Sequence, residues 1–210
     1  MIKIIKTDEP DLVKSWKSLA CSEWQPTWEN LQNPEKNALL QQLIIDQKGV
    51  CCYCECAINP DNSHIEHIIP RSLDASKKLS YDNLLASCLR ETEKGVPLTC
   101  GKARGNWHDS TSYLNPCDTE SEDQIIYLMD GRVTSTSSLH HQFLLNLNLN
   151  SALKVSARKA AAAIFSEDDS VTDVKKILNA ALNGDELPEY VSFLFATATA
   201  YFGIDGLAVM

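Results

Sequence analysis

Four of the eight cysteines in this 210-residue chain fall within six positions, Cys51-Cys52-Tyr53-Cys54-Glu55-Cys56, and two more, Cys88 and Cys100, follow in the next stretch. Thiols this crowded cannot satisfy ordinary disulfide geometry with one another. The N-terminus, Met1-Ile-Lys-Ile-Ile-Lys6, reaches charge within a few positions and lacks the apolar run and small-residue cleavage site of a secretory leader. Tyr190 to Met210 is apolar overall but broken by Gly203, Asp205 and Gly206. It reads as a buried helix ending at Gly203, because a membrane span needs roughly 20 predominantly apolar residues. The expectation is a soluble, cytoplasmic protein, and in a reducing compartment clustered cysteines are metal ligands.

Cys51 and Cys54 have the Cys-x2-Cys spacing with which a tight turn presents two sulfurs to one zinc ion. Cys88 and Cys100 form a looser second pair, and the insert from Glu91 to Thr99 reads as a surface loop that leaves both ends near the ion. Cys52 or Cys56 can replace a member of this quartet; Cys21 and Cys117 read as core thiols. Such a structural zinc cage substitutes for a large core in a small unit.

The apolar fraction of 44% suffices for a real core. The net charge of −9 argues against strong unaided binding to nucleic acid, whose affinity comes largely from Lys and Arg. The charge is unevenly spread: residues 1–63 carry 6 basic and 9 acidic side chains, residues 64–108 carry 7 and 5, and residues 109–210 carry 6 and 14. A slightly basic middle between acidic flanks suits a subunit that relies on a partner for most phosphate contacts.

The periodicity predicts three regions. Residues 1–48 form a helical lead-in: a short strand over Met1–Lys6, a helix from Pro10 to about Leu19 with Leu12, Val13, Trp16 and Leu19 on one face, and a second helix from Asn33-Pro34-Glu35 to a cap at Gly49. Residues 49–115 change to short apolar pieces, turns and cysteines. There Asn59-Pro60-Asp61-Asn62 is a turn between two strands, and the second strand covers 64–69 and is closed by Pro70. Residues 116–210 open with a hairpin around Asp130-Gly131 and are then mostly helical, with helices from Asn150 or Ser151 to Phe165, from Val171 to Leu182, and from Glu189 to Phe202.

Between the two cysteine pairs lies His64-Ile-Glu66-His67-Ile-Ile-Pro70, with Asn83 and Asn106 beyond it. Phosphodiester hydrolysis needs a base to activate water, and imidazole titrates near neutrality. It also needs a hard divalent ion such as Mg2+ or Mn2+, which takes oxygens from carboxylates and amides. Glu66, His67 and Asn106 supply these chemistries. Successive strand residues point to opposite faces, so Glu66 and His67 need a bend or strand end to converge on one phosphate.

Cys51-x2-Cys54, Glu66-His67-Ile-Ile-Pro70, Asp82-Asn83-Leu84 and Gly105-Asn106 resemble the HNH (ββα-metal) endonuclease superfamily. More narrowly, HIEHIIPRS, YDNLLASC, CGKARGNW, NPCD and the late LNLN resemble the PtuB nucleases of Septu-type and retron-associated antiphage systems. The resemblance implies an α+β fold with a small zinc-stabilised ββα-metal core between a helical lead-in and a mostly helical C-terminal region. It implies His67 as general base, Glu66 and Asn106 as ligands of the catalytic ion, and Asn83 as the residue that holds the loop bearing His67. It further implies a PtuA-like ATPase partner and in-line attack leaving a 5′-phosphate. DNA is the favoured substrate, with tRNA and an associated retron RNA–DNA as alternatives. His108 competes with Asn106 for the third position. Lys102 and Arg104 are candidate phosphate contacts, and a non-catalytic zinc-knuckle adaptor is the rival reading.

Overall fold

The structure, a computed structural model, describes residues 1–89, 94–166 and 168–204. Glu91 to Glu93 of the expected surface loop, and Asp205 and Gly206, lie outside the described residues; Lys94 to Leu98 of that loop are exposed.

Helices α1 (Asp11–Lys17) and α2 (Glu35–Asp46) form the lead-in. Only Val13 and the partly buried Trp16 of the first stripe pack inward, whereas Leu12 and Leu19 are exposed, because α1 ends at Lys17 before Leu19 can join its face. In α2, Leu39, Leu40 and Leu43 are buried as the stripe requires. Its close uses Gly49 at φ +79°, whose N–H returns to the Ile44 carbonyl at 3.0 Å. The expected strand over Met1–Lys6 does not form. The segment is held instead by single bonds such as Ile4 N–H to the Pro116 carbonyl at 2.8 Å, so the NPCD motif serves as its anchor.

The middle region is built on β1 (Ser63–His67) and β2 (Leu84–Cys88), paired antiparallel with Ser63 opposite Cys88 and His67 opposite Leu84. The short helix α3 (Cys100–Arg104) follows, giving the order strand, strand, helix. β1 stops two residues before the expected end, because Ile68 and Ile69 leave the ladder to bond with Asn83. Before the Asn59–Asn62 turn there is one isolated bridge, Val50 with Ala57, where a full strand was expected. That bridge closes the cysteine knuckle. Gln47 at the end of α2 ties the knuckle to β2: its amide donates to the carbonyls of Val50 and Ala86, both at 2.8 Å, and its oxygen accepts from Ala86 N–H at 2.7 Å.

Strands β3 (Ile125–Tyr127) and β4 (Val133–Ser135) form the Asp-Gly hairpin, followed by α4 (His141–Asn146), α5 (Ala152–Ala161), α6 (Val171–Asn183) and α7 (Val191–Phe202). Ser151 and Ser170 cap α5 and α6, and Gly203 at φ +60° ends α7. One apolar core runs from Met1 to Leu149, and a smaller cluster joins α6 to α7 through Val174, Leu178, Leu194 and Ala198.

The late LNLN motif stitches these parts together. Leu147 accepts from Cys100 N–H at 2.8 Å, Asn148 donates to the Leu98 carbonyl at 2.9 Å, and Asn150 makes two 2.8 Å bonds with the Val133 backbone. Arg158, 1% exposed, completes the joint by donating to the carbonyls of Gly131 and Leu149, each at 2.9 Å. Removing the guanidinium leaves buried carbonyls unpaired, so Arg158→Ala should destabilise the chain by about 3 kcal/mol. Urea unfolding checks this; an unchanged midpoint would show that the bonds are dispensable.

Candidate metal centre and active site

The γ-sulfurs of Cys51, Cys54, Cys88 and Cys100, all buried, lie within 4.8 Å of one another. A zinc ion with four sulfurs at about 2.3 Å places adjacent sulfurs about 3.8 Å apart, and Cys54 and Cys88 stand at 3.9 Å. The donor set therefore fits zinc. Three parts of the chain deliver it: the knuckle, the last residue of β2 and the first of α3. Cys100 takes φ +55°, a left-handed conformation that aims its side chain back toward the knuckle while α3 departs. Cys52, the first alternative ligand, is excluded from the cluster, although its N–H bonds to the Ala86 carbonyl at 3.2 Å. Cys56, the second alternative, stands beside it with its sulfur 3.4 Å from that of Cys54.

Lys154, buried on α5, reaches the cage with its ammonium 3.4 Å from Cys56 Sγ and 3.7 Å from Cys88 Sγ. Burial works to lower its pKa, but the negative charge of the cysteines, Cys54 foremost, overcomes this and holds it raised. A four-thiolate zinc site carries two net negative charges, and a buried ammonium offsets one of them. No feature of local spacing marks Lys154 as a partner of cysteines 66 and 98 positions away.

Glu66 lies on the face of β1 toward α3 and is 7% exposed. Its Oε1 accepts from Arg104 Nη2 at 2.7 Å and from the Tyr53 hydroxyl at 3.2 Å, and that hydroxyl is 2.9 Å from the hydroxyl of Tyr113. Its Oε2 faces His64 Nε2 at 3.5 Å. Arg104, expected at a phosphate, is instead 4% exposed. Besides Glu66 it donates to the carbonyls of Ile68, at 2.9 Å, and His67. It does not present its guanidinium to solvent, because β1 ends there and leaves those carbonyls without strand partners.

His67 occupies the other face. Its Nε2 lies 3.0 Å from the Lys78 carbonyl, and its ring meets Trp28 edge-on with centroids 4.4 Å apart. A carbonyl only accepts, so Nε2 carries the proton and Nδ1 holds the basic lone pair. Burial lowers the His67 pKa, with Arg71 adding to the effect against the hydrogen bond to Lys78. Asn83, 5% exposed, clamps the connecting loop: its oxygen accepts from Ile69 N–H at 2.8 Å, and its amide donates to the carbonyls of Ile69 and Lys77, both at 3.1 Å.

Asn106 is exposed just past α3 and makes no hydrogen bond among the described residues. Its rival His108 is half-buried beside Tyr113, with ring centroids 4.9 Å apart. Burial and then Arg104 lower the His108 pKa. Lys102 is partly exposed on α3. Two residues given no site role by sequence reasoning also belong to this region. His64 touches Glu66, and the exposed Arg71 stacks on Trp28 at 5.5 Å, next to His67. The signal for both was their place in the same HIEHIIPRS run.

No protein-family model matches the chain. Over 126 residues it is 28% identical to the retron Ec83 putative HNH endonuclease of Escherichia coli, an alignment covering 52% of this chain. The chain spans about half of that relative's length, 48%. This likeness supports the resemblance to HNH nucleases. Among the described residues, no helix is long and apolar enough to cross a membrane.

One zinc per chain is expected by elemental analysis, lost in Cys54→Ser with loss of the fold. Lys154→Ala should release zinc to a competing chelator about tenfold more readily. Unchanged release would mean that the ammonium does not support the cage.

Proposed function

We propose that the chain is a metal-dependent endonuclease of the HNH type that hydrolyses phosphodiester bonds in nucleic acid, DNA foremost, as the effector of an antiphage complex. The observation that carries this reading is His67: a buried imidazole with its tautomer fixed by a carbonyl, on a loop clamped by Asn83, one residue from an equally buried carboxylate.

His67 Nδ1 takes the proton from the attacking water. Trp28 and the Lys78 carbonyl fix the ring, so little reorganisation is needed when the proton arrives. Glu66 Oε2, the oxygen left over by Arg104 and Tyr53, is an oxygen ligand of the kind a hard divalent ion takes, so the site fits Mg2+ or Mn2+, with Asn106 as a further ligand. When bound, such an ion would offset charge on the phosphate and on the leaving 3′-oxygen. Lys102 and Arg71 meet neighbouring phosphates. Arg104 holds Glu66 and the end of β1 in place.

The acidic flanks favour a partner that supplies most of the nucleic-acid contact, and a PtuA-like ATPase is the partner this reading names. The co-purified complex, given Mg2+ or Mn2+, should cut plasmid DNA. His67→Ala should abolish cutting at unchanged zinc content. Cleavage of tRNA alone would move the substrate to RNA, and no cleavage of either polymer would favour the adaptor reading.

The pH dependence carries a sign. His67 acts when neutral, and its lowered pKa keeps it neutral further into acid. The acid limb of kcat/KM should therefore fall below about 6.5, the ordinary imidazole value. Trp28→Ala, which admits water to the ring, should move that limb upward. An acid limb unmoved in the variant would remove His67 as the titrating base.

A further inference from the structure

We infer that His64 is a ligand of the catalytic ion, its Nε2 and Glu66 Oε2 forming a mixed nitrogen–oxygen chelate above Gly101 that favours Mn2+ over Mg2+. The inference rests on Glu66 being the carboxylate ligand. Residues two apart on a strand share a face, so His64 and Glu66 both project from β1 toward α3. Arg104 and Tyr53 occupy Glu66 Oε1, which leaves Oε2 as the oxygen able to take an ion.

The spacing suits one shared ion. With bonds of about 2.1 Å, adjacent ligands stand about 3.0 Å apart in an octahedron and about 3.4 Å apart in a tetrahedron. His64 Nε2 and Glu66 Oε2 are 3.5 Å apart, close to the tetrahedral spacing, and a small side-chain movement brings them to the octahedral one.

Gly101 is the second observation. A Cβ at this position would lie 2.4 Å from Glu66 Oε2 and 3.0 Å from His64 Nε2. Gly101 has no φ in the left-handed region that would otherwise call for glycine, so what the residue permits is the close approach of the Glu66 carboxylate and the His64 ring to the α3 backbone. Its N–H is fixed by Ser87 Oγ at 3.1 Å, and Ser87 lies opposite His64 in the ladder. The helix backbone is thereby held against the two donor atoms. His64 Nδ1 is buried without a hydrogen-bond partner among the described residues, so the polar contact the ring makes is on its Nε2 side.

Imidazole ligation changes which ion fits. Mg2+ strongly prefers oxygen and holds an octahedron of carboxylates and waters, whereas Mn2+ and the later divalent ions accept imidazole. One nitrogen and one carboxylate oxygen, with remaining positions open to water, phosphate and the Asn106 amide, describe a site of the second kind.

The test uses the full-length, zinc-loaded chain titrated with Mn2+ and examined by pulsed electron paramagnetic resonance. Bound Mn2+ should show nitrogen modulation from a coordinated imidazole. It should persist in His67→Ala and vanish in both His64→Ala and His64→Gln, the latter keeping a neutral polar side chain in case the smaller one perturbs the strand. The Mn2+ dissociation constant should rise at least tenfold in both His64 variants and in Gly101→Ala, with zinc content unchanged. The preference for Mn2+ over Mg2+ should shrink with it. Nitrogen modulation surviving in the His64 variants, or unaltered Mn2+ affinity, would overturn the assignment. The hydrolytic reading fails separately: nitrogen-ligated Mn2+ in a complex that cuts neither plasmid nor tRNA leaves the His64 assignment standing and removes the nuclease.

Discussion

Four thiols from three separate parts of the chain converge to within 4.8 Å, and the rest of the middle region is arranged around that convergence. Two five-residue strands and a five-residue helix do not bury enough surface to hold one another. The zinc that these sulfurs fit would tie the knuckle, the end of β2 and the start of α3 at one point. With Cys88 and Cys100 fixed, Ser87 and Gly101 are brought into hydrogen-bond contact, and α3 is laid against the outer face of β1. The position of Glu66 follows from that contact, because its partners Arg104 and Gly101 are residues of α3. Lys154 extends the dependence to the C-terminal helices through its contacts with Cys56 and Cys88.

The second constraint is the end of β1. A strand that stops leaves unpaired carbonyls, and buried polar groups need partners. Arg104 takes those of His67 and Ile68, while Asn83 takes both backbone groups of Ile69. The resulting loop sends His67 to the Lys78 carbonyl and Trp28, one residue from a carboxylate that faces the opposite side.

Much of this was legible in the sequence because the signals were local or of fixed spacing. The Cys-x2-Cys knuckle, the Asp-Gly hairpin and the serine cap of α5 each follow from a few adjacent residues. The quartet was also readable, since the long insert before Cys100 costs little in closure entropy once both ends are held. The rest depended on tertiary contacts that carry no periodicity. Arg104 resembles a surface phosphate contact until the frayed strand end claims its donors. Met1–Lys6 is a short, mostly apolar run of strand length but finds no partner strand, and Leu19 falls beyond the last turn of its helix. His64 looks like a surface residue in sequence, and only Gly101, 37 positions later, lets its ring and the Glu66 carboxylate pack directly on the α3 backbone.

The most direct test of the account is a crystal structure of the chain grown with Mn2+, with anomalous data collected at the zinc and manganese edges. A zinc peak equidistant from the four cysteine sulfurs at about 2.3 Å and a separate manganese peak against Glu66 Oε2 are expected. A zinc peak away from the quartet, or manganese bound at a distance from Glu66 Oε2, would contradict the account.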